Sequence, residues 1–211
     1  MTKCRLCYSK DLSVYIKSYF LCNNCDYVFL ENSLLPELKL EKSRYDLHEN
    51  SRDNKGYVKT FQDFITLCLK TKIKNFKALN ILDYGCGPGP VLAYMLQDLG
   101  ADVTLYDPIY FNNHSALKNQ YDLIVSTEAF EHFHFPSNDI KNLNSCLKVD
   151  GFLAVQTEFR PSNKKLFTDW YYKNDETHVG FYNEATFSRI ANLYDFSWFV
   201  TMYSKYCLLK K

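Results

Sequence analysis

Apolar positions along the chain repeat first with the period of strands, then of a helix, then of alternating strands and helices. Residues 14–21, Val-Tyr-Ile-Lys-Ser-Tyr-Phe-Leu, read as a hairpin strand. Residues 31–54 are polar and mixed, with Pro36 near the start, and predict a connector carrying one short helix. Over 56–76, Val58, Phe61, Ile65, Cys68 and Leu69 fall at the spacing of an amphipathic helix. A short buried strand at 79–83 ends in Asp, and a helix follows at 88–99 with proline near its first turn and Gly100 past its end. Strands are predicted at 102–106, 121–126 and 151–157, and helices at 136–147 and 184–193, the last with Asn183 as N-cap. Such alternation predicts an α/β fold, with a largely parallel sheet covered by helices on both faces.

Composition narrows this further. A chain of 211 residues, 46% hydrophobic and 23% charged, has the size and balance of one ordered main domain with a small appendage. No apolar run approaches the roughly 20 residues that span a bilayer. The first ten residues carry charge and two cysteines where a signal peptide needs an apolar core. A cytoplasmic protein is expected. Lys+Arg 25 against Asp+Glu 24 gives a net charge of +1, which argues against a general polyanion binder. Lys70, Lys72, Lys74 and Lys77 read as a solvated helix end.

Four of the eight cysteines form two C-x-x-C pairs, Cys4 with Cys7 and Cys22 with Cys25. Each pair makes a knuckle that points two thiolates at one place, and two such knuckles close a tetrahedral site for a soft-ligand metal, Zn²⁺ first. The alternatives fit less well: disulfides need an oxidising compartment, and a redox C-x-x-C needs a βαβ context absent here. A closed four-sulfur site has no open position, so this zinc is expected to fold a ribbon and do no chemistry. Zinc ribbons often dock nucleic acid or protein, for which Lys3, Arg5, Lys10 and Lys17 are the basic residues at hand.

Between a predicted strand and helix stands Asp83-Tyr-Gly85-Cys-Gly87-Pro-Gly89. Alternate glycines let the backbone turn sharply and approach a ligand at the positive end of the helix. The spacing is not the G-x-G-x-x-G of dinucleotide enzymes, and Asp83 would repel a pyrophosphate while suiting an ammonium or sulfonium group. Asp107 closes the next strand, where an acidic side chain can take the two hydroxyls of a ribose.

The segment 82–89, Leu-Asp-Tyr-Gly-Cys-Gly-Pro-Gly, resembles motif I of the class I S-adenosylmethionine-dependent methyltransferases. Asp107 resembles their ribose-binding acid, and 121–132, Tyr-Asp-Leu-Ile-Val-Ser-Thr-Glu-Ala-Phe-Glu-His, resembles their fourth motif. The resemblance covers about residues 43–209. The layout as a whole is similar to a bacterial group of small methyltransferases with an N-terminal zinc ribbon. In that group, stretches like Tyr45-Asp-Leu-His-Glu-Asn50 and Asp175-Glu-Thr-His-Val179 are expected. The resemblance implies a Rossmann-like sheet with Asp83, Tyr84, Gly85, Cys86, Gly87, Gly89, Asp107, Pro108, Thr127 and Glu128 around the cofactor. It implies three regions: a ribbon at 1–32, a connector and helix at 33–78, and a methyltransferase domain at 79–211. Too few residues separate Asp107 from Tyr121 for a full helix and strand, so the sheet is expected to be reduced between its second and fourth strands. The residue that meets the adenine amine is then unassigned, with Asn112, Asn113 or His114 as stand-ins.

Glu128, Glu131 and His132 follow the third α/β strand, where open sheets bind ligands, and their spacing shares one face of a helical turn. With His178 as a fourth member they form a candidate divalent-metal site. Similar sets in ubiquinone-pathway O-methyltransferases and small-RNA 2′-O-methyltransferases hold Mg²⁺ or Zn²⁺ that activates a hydroxyl. The alternatives are acid–base or orienting roles for Glu131, His132 and His178, or shaping of the cofactor pocket alone. The insert at 158–182 is rich in aromatics, among them Trp170, Tyr171 and Tyr172, and lies where an acceptor must sit.

The expected activity is methyl transfer to an O, N or C acceptor, a small molecule first. An RNA methyltransferase is the alternative substrate class, which near-neutral charge disfavours. A cofactor- or RNA-binding adaptor without turnover is the non-enzymatic alternative.

Overall fold

The computed structural model describes residues 2–47 and 50–211, so His48 and Glu49 of the stretch quoted above lie outside the described residues. Near the N-terminus β1 (Leu12–Ile16) and β2 (Tyr19–Cys22) pair antiparallel, and β3 (Val28–Leu30) adds beside β2. The single strand read over 14–21 is therefore two strands and a turn, reversed at Ser18 with φ +55°. Serine is a weak signal for that left-handed position, where glycine or asparagine is usual.

The connector carries α1 (Leu38–Tyr45), whose sequence has almost no amphipathic period. Next comes α2 (Lys55–Leu67), capped by the Asn54 side chain accepting from the Tyr57 amide. It stops at Leu67 and a 3-10 turn follows, so the predicted helix to 76 is really a helix and a turn.

The main sheet starts with β4 (Asn80–Tyr84), crosses through α3 (Val91–Asp98) to β5 (Asp102–Tyr106), and returns to β6 (Tyr121–Thr127). Only a loop with a 3-10 turn at Ala116–Lys118 joins β5 to β6, so β5 is an edge and the expected reduction of the sheet is present. After β6, α4 (Pro136–Cys146) leads into β7 (Leu147–Gln156). The insert forms α5 (Lys164–Asp169) and β8 (Gly180–Phe181), and α6 (Glu184–Leu193) follows with Asn183 capping the Thr186 amide. The chain closes with the antiparallel hairpin β9 (Trp198–Met202) and β10 (Tyr206–Lys210). That hairpin had no turn signature in the sequence: Tyr203 and Ser204 hold φ +55° and +51°, places that usually show Asn or Gly.

Strand order in the main sheet is β5-β4-β6-β7-β10-β9, parallel from β5 to β7 and antiparallel beyond. One face buries Leu82, Tyr84, Ile124, Ile140 and Phe187, the other Phe61, Phe64, Ile81, Leu92 and Leu96. Each buried aliphatic or aromatic side chain contributes about 1.5–3 kcal/mol.

The second sheet has the order β1-β2-β3-β8. Its last strand comes from the insert, so ribbon and insert share one hydrogen-bonded ladder, Val28 opposite Phe181 and Phe29 opposite Gly180. A Cβ at Gly180 would collide with the Tyr27 ring, which explains glycine there. Arg160, almost fully buried, adds an ion pair to Asp26 at 2.7 Å. Among the described residues no helix is long and apolar enough to cross a membrane.

Candidate active site

The two knuckles bring the Cys4, Cys7, Cys22 and Cys25 sulfurs within 4.8 Å of one another. Cys4 and Cys25 stand 3.6 Å apart and Cys7 and Cys22 3.5 Å. Zn–S bonds of about 2.3 Å set the sulfurs of a tetrahedral site about 3.8 Å apart, so this spacing fits a zinc ion. Crowding of the sulfurs splits their acidities: Cys22 and Cys25, then Cys4, hold the Cys7 thiol well below its usual range, while Cys22 helps push Cys4 up. A divalent cation at the centre resolves this competition by favouring all four thiolates.

At the carboxyl ends of β4, β5 and β6 opens a cavity of about 530 Å³, in the size range of small-molecule sites. The glycine loop forms its floor. Gly85 and Gly87 have φ +77° and +63°, and a Cβ on Gly85 would sit 2.7 Å from that of Ala129. A Cβ on Gly89 would run into the Asn50 carbonyl. The backbone thus takes a path that only glycine follows without strain.

Asp83 is buried with Oδ1 lacking any partner. Burial, and then the charge of Asp107, pushes its pKa up to about 7. An orphaned carboxyl in a cavity is a site for a cationic group. Asp107 Oδ2 accepts from the Gly87 amide at 3.1 Å, while Oδ1 accepts from Ile109 and Tyr110 amides at 2.8 and 3.0 Å. One lone pair of Oδ2 is left for a ligand hydroxyl. Tyr84, Cys86, Pro108, Thr127 and Glu128 also line the cavity. Asn112, Asn113 and His114 are exposed and are not among the lining residues. The lining does include Asp139, whose Oδ1 accepts from the Tyr84 hydroxyl at 2.8 Å.

The same cavity reaches Glu131, His132 and His178, whose ligand atoms lie within 4.8 Å of one another. The two imidazoles meet edge to face with centroids 4.7 Å apart. His132 Nδ1 bonds the Thr177 carbonyl at 2.9 Å, and His178 Nδ1 bonds the Tyr172 carbonyl at 2.6 Å. A carbonyl only accepts, so both rings carry hydrogen on Nδ1 and present an Nε2 lone pair. Burial lowers the pKa of both, that of His178 to about 3 with help from His132, and holds them neutral.

Glu128 stands one step behind this trio. It has φ +49°, so the shared helical face expected for Glu128, Glu131 and His132 begins only at Phe130. Its Oε1 accepts from Gln156 at 2.9 Å and its Oε2 from the Tyr172 hydroxyl at 2.9 Å. The same hydroxyl also lies in hydrogen-bond contact with Glu131 Oε1, while Glu131 Oε2 is buried without a partner. One phenolic proton cannot serve two carboxylates. Burial raises both acids, to about 8 for Glu128 with the charge of Glu131 adding, and to about 7 for Glu131.

Two contributors had no sequence signal of their own. Tyr172 was one aromatic among many in the insert, and its link to both carboxylates depends on how the insert folds back. Glu41, on a helix without an amphipathic pattern, bonds His134 Nε2 at 2.8 Å, and both line the cavity.

A family model described as a methyltransferase domain matches residues 51–198. The chain belongs to that methyltransferase-domain family. The methyltransferase shares its fold with magnesium protoporphyrin IX methyltransferase of Synechocystis PCC 6803, solved with bound SAH, at TM-score 0.52 and 17% identity over 74% of this chain and 82% of that one. An S-adenosylmethionine-dependent methyltransferase from Mesorhizobium loti gives TM-score 0.52 and 14% identity over 70% and 98% of the two chains. An O-methyltransferase family protein from Burkholderia thailandensis gives 0.53 and 13%, over 81% of this chain and 62% of that one. A search of the curated proteins finds no match.

Proposed function

We propose that this methyltransferase moves the methyl group of S-adenosylmethionine to a hydroxyl of a small molecule held at a divalent ion. One observation carries the reading: a single cavity is lined both by the glycine loop with its orphaned Asp83 and by the Glu131–His132–His178 trio. The cofactor would lie across 83–89, its ammonium or sulfonium charge toward Asp83 and its ribose on Asp107. Zinc would close the ribbon through Cys4, Cys7, Cys22 and Cys25.

Both Nδ1 atoms are occupied by carbonyls, an arrangement that fixes the tautomer and aims Nε2 at an ion. The geometry favours ligation over general-base catalysis, because burial disfavours the imidazolium that a base would become, while an ion uses the same Nε2 lone pair of the neutral ring. Two imidazoles and one carboxylate suit a first-row transition ion such as Zn²⁺ better than Mg²⁺. When bound, such an ion lowers the pKa of a coordinated hydroxyl. In the transfer, the acceptor O–CH₃ bond forms as the sulfonium S–CH₃ bond breaks, the thioether SAH leaves, and the acceptor's hydroxyl proton is released to water. The chain's own contribution is alignment: the glycine loop fixes the donor and the trio fixes the acceptor. Tyr172 holds Glu131 in place through its hydroxyl.

The test is transfer of labelled methyl from S-adenosylmethionine into cell extract fractionated into small molecules, lipid and RNA. Label in the small-molecule fraction is expected. Label in RNA would replace the acceptor class, and tight cofactor binding without transfer to any fraction would make the protein an adaptor.

A further inference from the structure

The buried Arg5 belongs to neither the zinc cluster nor the cavity lining. It sits between Cys4 and Cys7, inside the first knuckle, and is 4% exposed. The knuckle fixes its backbone: the Leu6 amide points at Cys4 Sγ, 3.4 Å away, and the Tyr8 amide donates to the Cys4 carbonyl at 3.0 Å. The Arg5 carbonyl in turn accepts from the Ser137 amide in the first turn of α4, at 3.4 Å.

From this mount the guanidinium reaches three carbonyls. Nη2 donates to Val179 at 2.7 Å and to Leu30 at 3.3 Å, and Nη1 donates to His134 at 3.2 Å. Its flat face lies over Phe29, 5.3 Å from the centroid. Among the described residues no carboxylate pairs with it, in contrast to Arg160 with Asp26. A buried charge held by carbonyls alone is costly, and only a planar fork spans two separate loops in this way.

Those two loops are the ones that carry the histidines. Val179 follows His178, and its amide donates to the Glu131 carbonyl at 2.8 Å. His134 lies just beyond His132 on the turn that leaves β6. One side chain therefore clamps the insert to the post-β6 turn at the point where Glu131, His132 and His178 meet.

We propose that Arg5 is a positioning residue for the acceptor site, and that the zinc ribbon works as its mount. The inference rests on the reading of Glu131, His132 and His178 given above. It assigns the ribbon a task inside the enzyme in place of docking an outside partner. Zinc fixes the knuckle, the knuckle fixes Arg5, and Arg5 holds both imidazoles with their Nε2 atoms turned to one place.

The experiment uses the full-length protein with its zinc, as wild type, Arg5→Met and Arg5→Lys. Long-range ¹H–¹⁵N spectra of the imidazoles report which ring nitrogen carries hydrogen, and His132→Gln and His178→Gln assign the signals. Wild type should show the Nδ1–H form for both rings. Arg5→Met should keep SAH affinity within about twofold, as distant sites act independently, while both imidazoles lose the single Nδ1–H form. Arg5→Lys, which keeps the charge without the fork, should fall between. A folded, SAH-binding Arg5→Met protein with the wild-type imidazole spectrum would overturn the assignment. So would loss of SAH binding in both variants, which would make Arg5 a folding residue. Wild-type protein that binds no SAH would instead overturn the cofactor reading, so the two failures are distinct.

Discussion

The rings of His132 and His178 stand edge to face, 4.7 Å between centroids, one on the turn after β6 and the other in the insert. Their contact is made by main-chain acceptors on either side, Thr177 for one ring and Tyr172 for the other. Each ring is thus oriented by backbone from the insert. Substitution of His178 by Ala should therefore abolish most turnover while leaving SAH affinity unchanged, measured by labelled transfer and calorimetry. Affinity for a probe ion, Co²⁺, should fall with it, because His178 supplies one of the three candidate ligand atoms. Full activity in His178→Ala would remove this residue from the mechanism.

Zinc content is the simplest measurement. Protein purified without added metal should carry about one zinc per chain, and Cys22→Ser should lose it and expose the ribbon. Because β8 of the insert completes the ribbon sheet, loss of zinc should also disturb the near-ultraviolet signal of the aromatic insert. Folded, metal-free protein would contradict the assignment.

On the proposed reading, Asp107 joins ligand to loop. Asp107→Ala removes three amide contacts and the proposed acceptor for ribose hydroxyls. SAH binding should weaken by about 1–3 kcal/mol, read by calorimetry. Unchanged affinity would rule out the ribose site.

On the proposed reading, Asp83 links cofactor binding to pH. Its folded-state pKa lies near 7, above the ordinary carboxylate value, so the empty protein favours the neutral acid. The associated stability is complete below the unfolded-state pKa and is lost as pH rises through about 7. A cationic ligand favours the charged form, so its binding shows the opposite trend. Affinity for S-adenosylmethionine should fall about tenfold per unit as pH drops below about 7, and Asp83→Asn should flatten that dependence. A flat wild-type profile from pH 5.5 to 8 would separate Asp83 from the ligand.

Tyr172→Phe removes the hydroxyl that meets Glu128 and Glu131. Glu128 keeps its bond from Gln156, so the loss falls chiefly on Glu131 and should lower stability by about 1–3 kcal/mol at pH 8, measured by urea unfolding. The deficit should shrink as pH falls and both carboxyls take up protons. A variant as stable as wild type at pH 8 would show that the hydroxyl contributes nothing to the pair.

The sequence by itself determined whatever depends on neighbours along the chain. The strand–glycine loop–helix at 80–98, the acid at the end of β5, the two cysteine knuckles, the Asn183 cap and the shortened passage from β5 to β6 were all legible, because local sterics and spacing set them. A boundary slipped at Ser18, and the hairpin turning at Tyr203 and Ser204 went unread, because a left-handed residue there lacked its usual type. Tertiary structure decided the rest. That Glu131 meets the two histidines while Glu128 stands behind Tyr172 follows from a left-handed Glu128 and from the folding-back of the insert, neither of which has a periodic signal. The union of ribbon and insert in one sheet, and the buried Arg5 that clamps it to the turn after β6, rest on hydrogen bonds between segments far apart in sequence. Such bonds form between main-chain groups that every residue carries, so no residue pattern announces them.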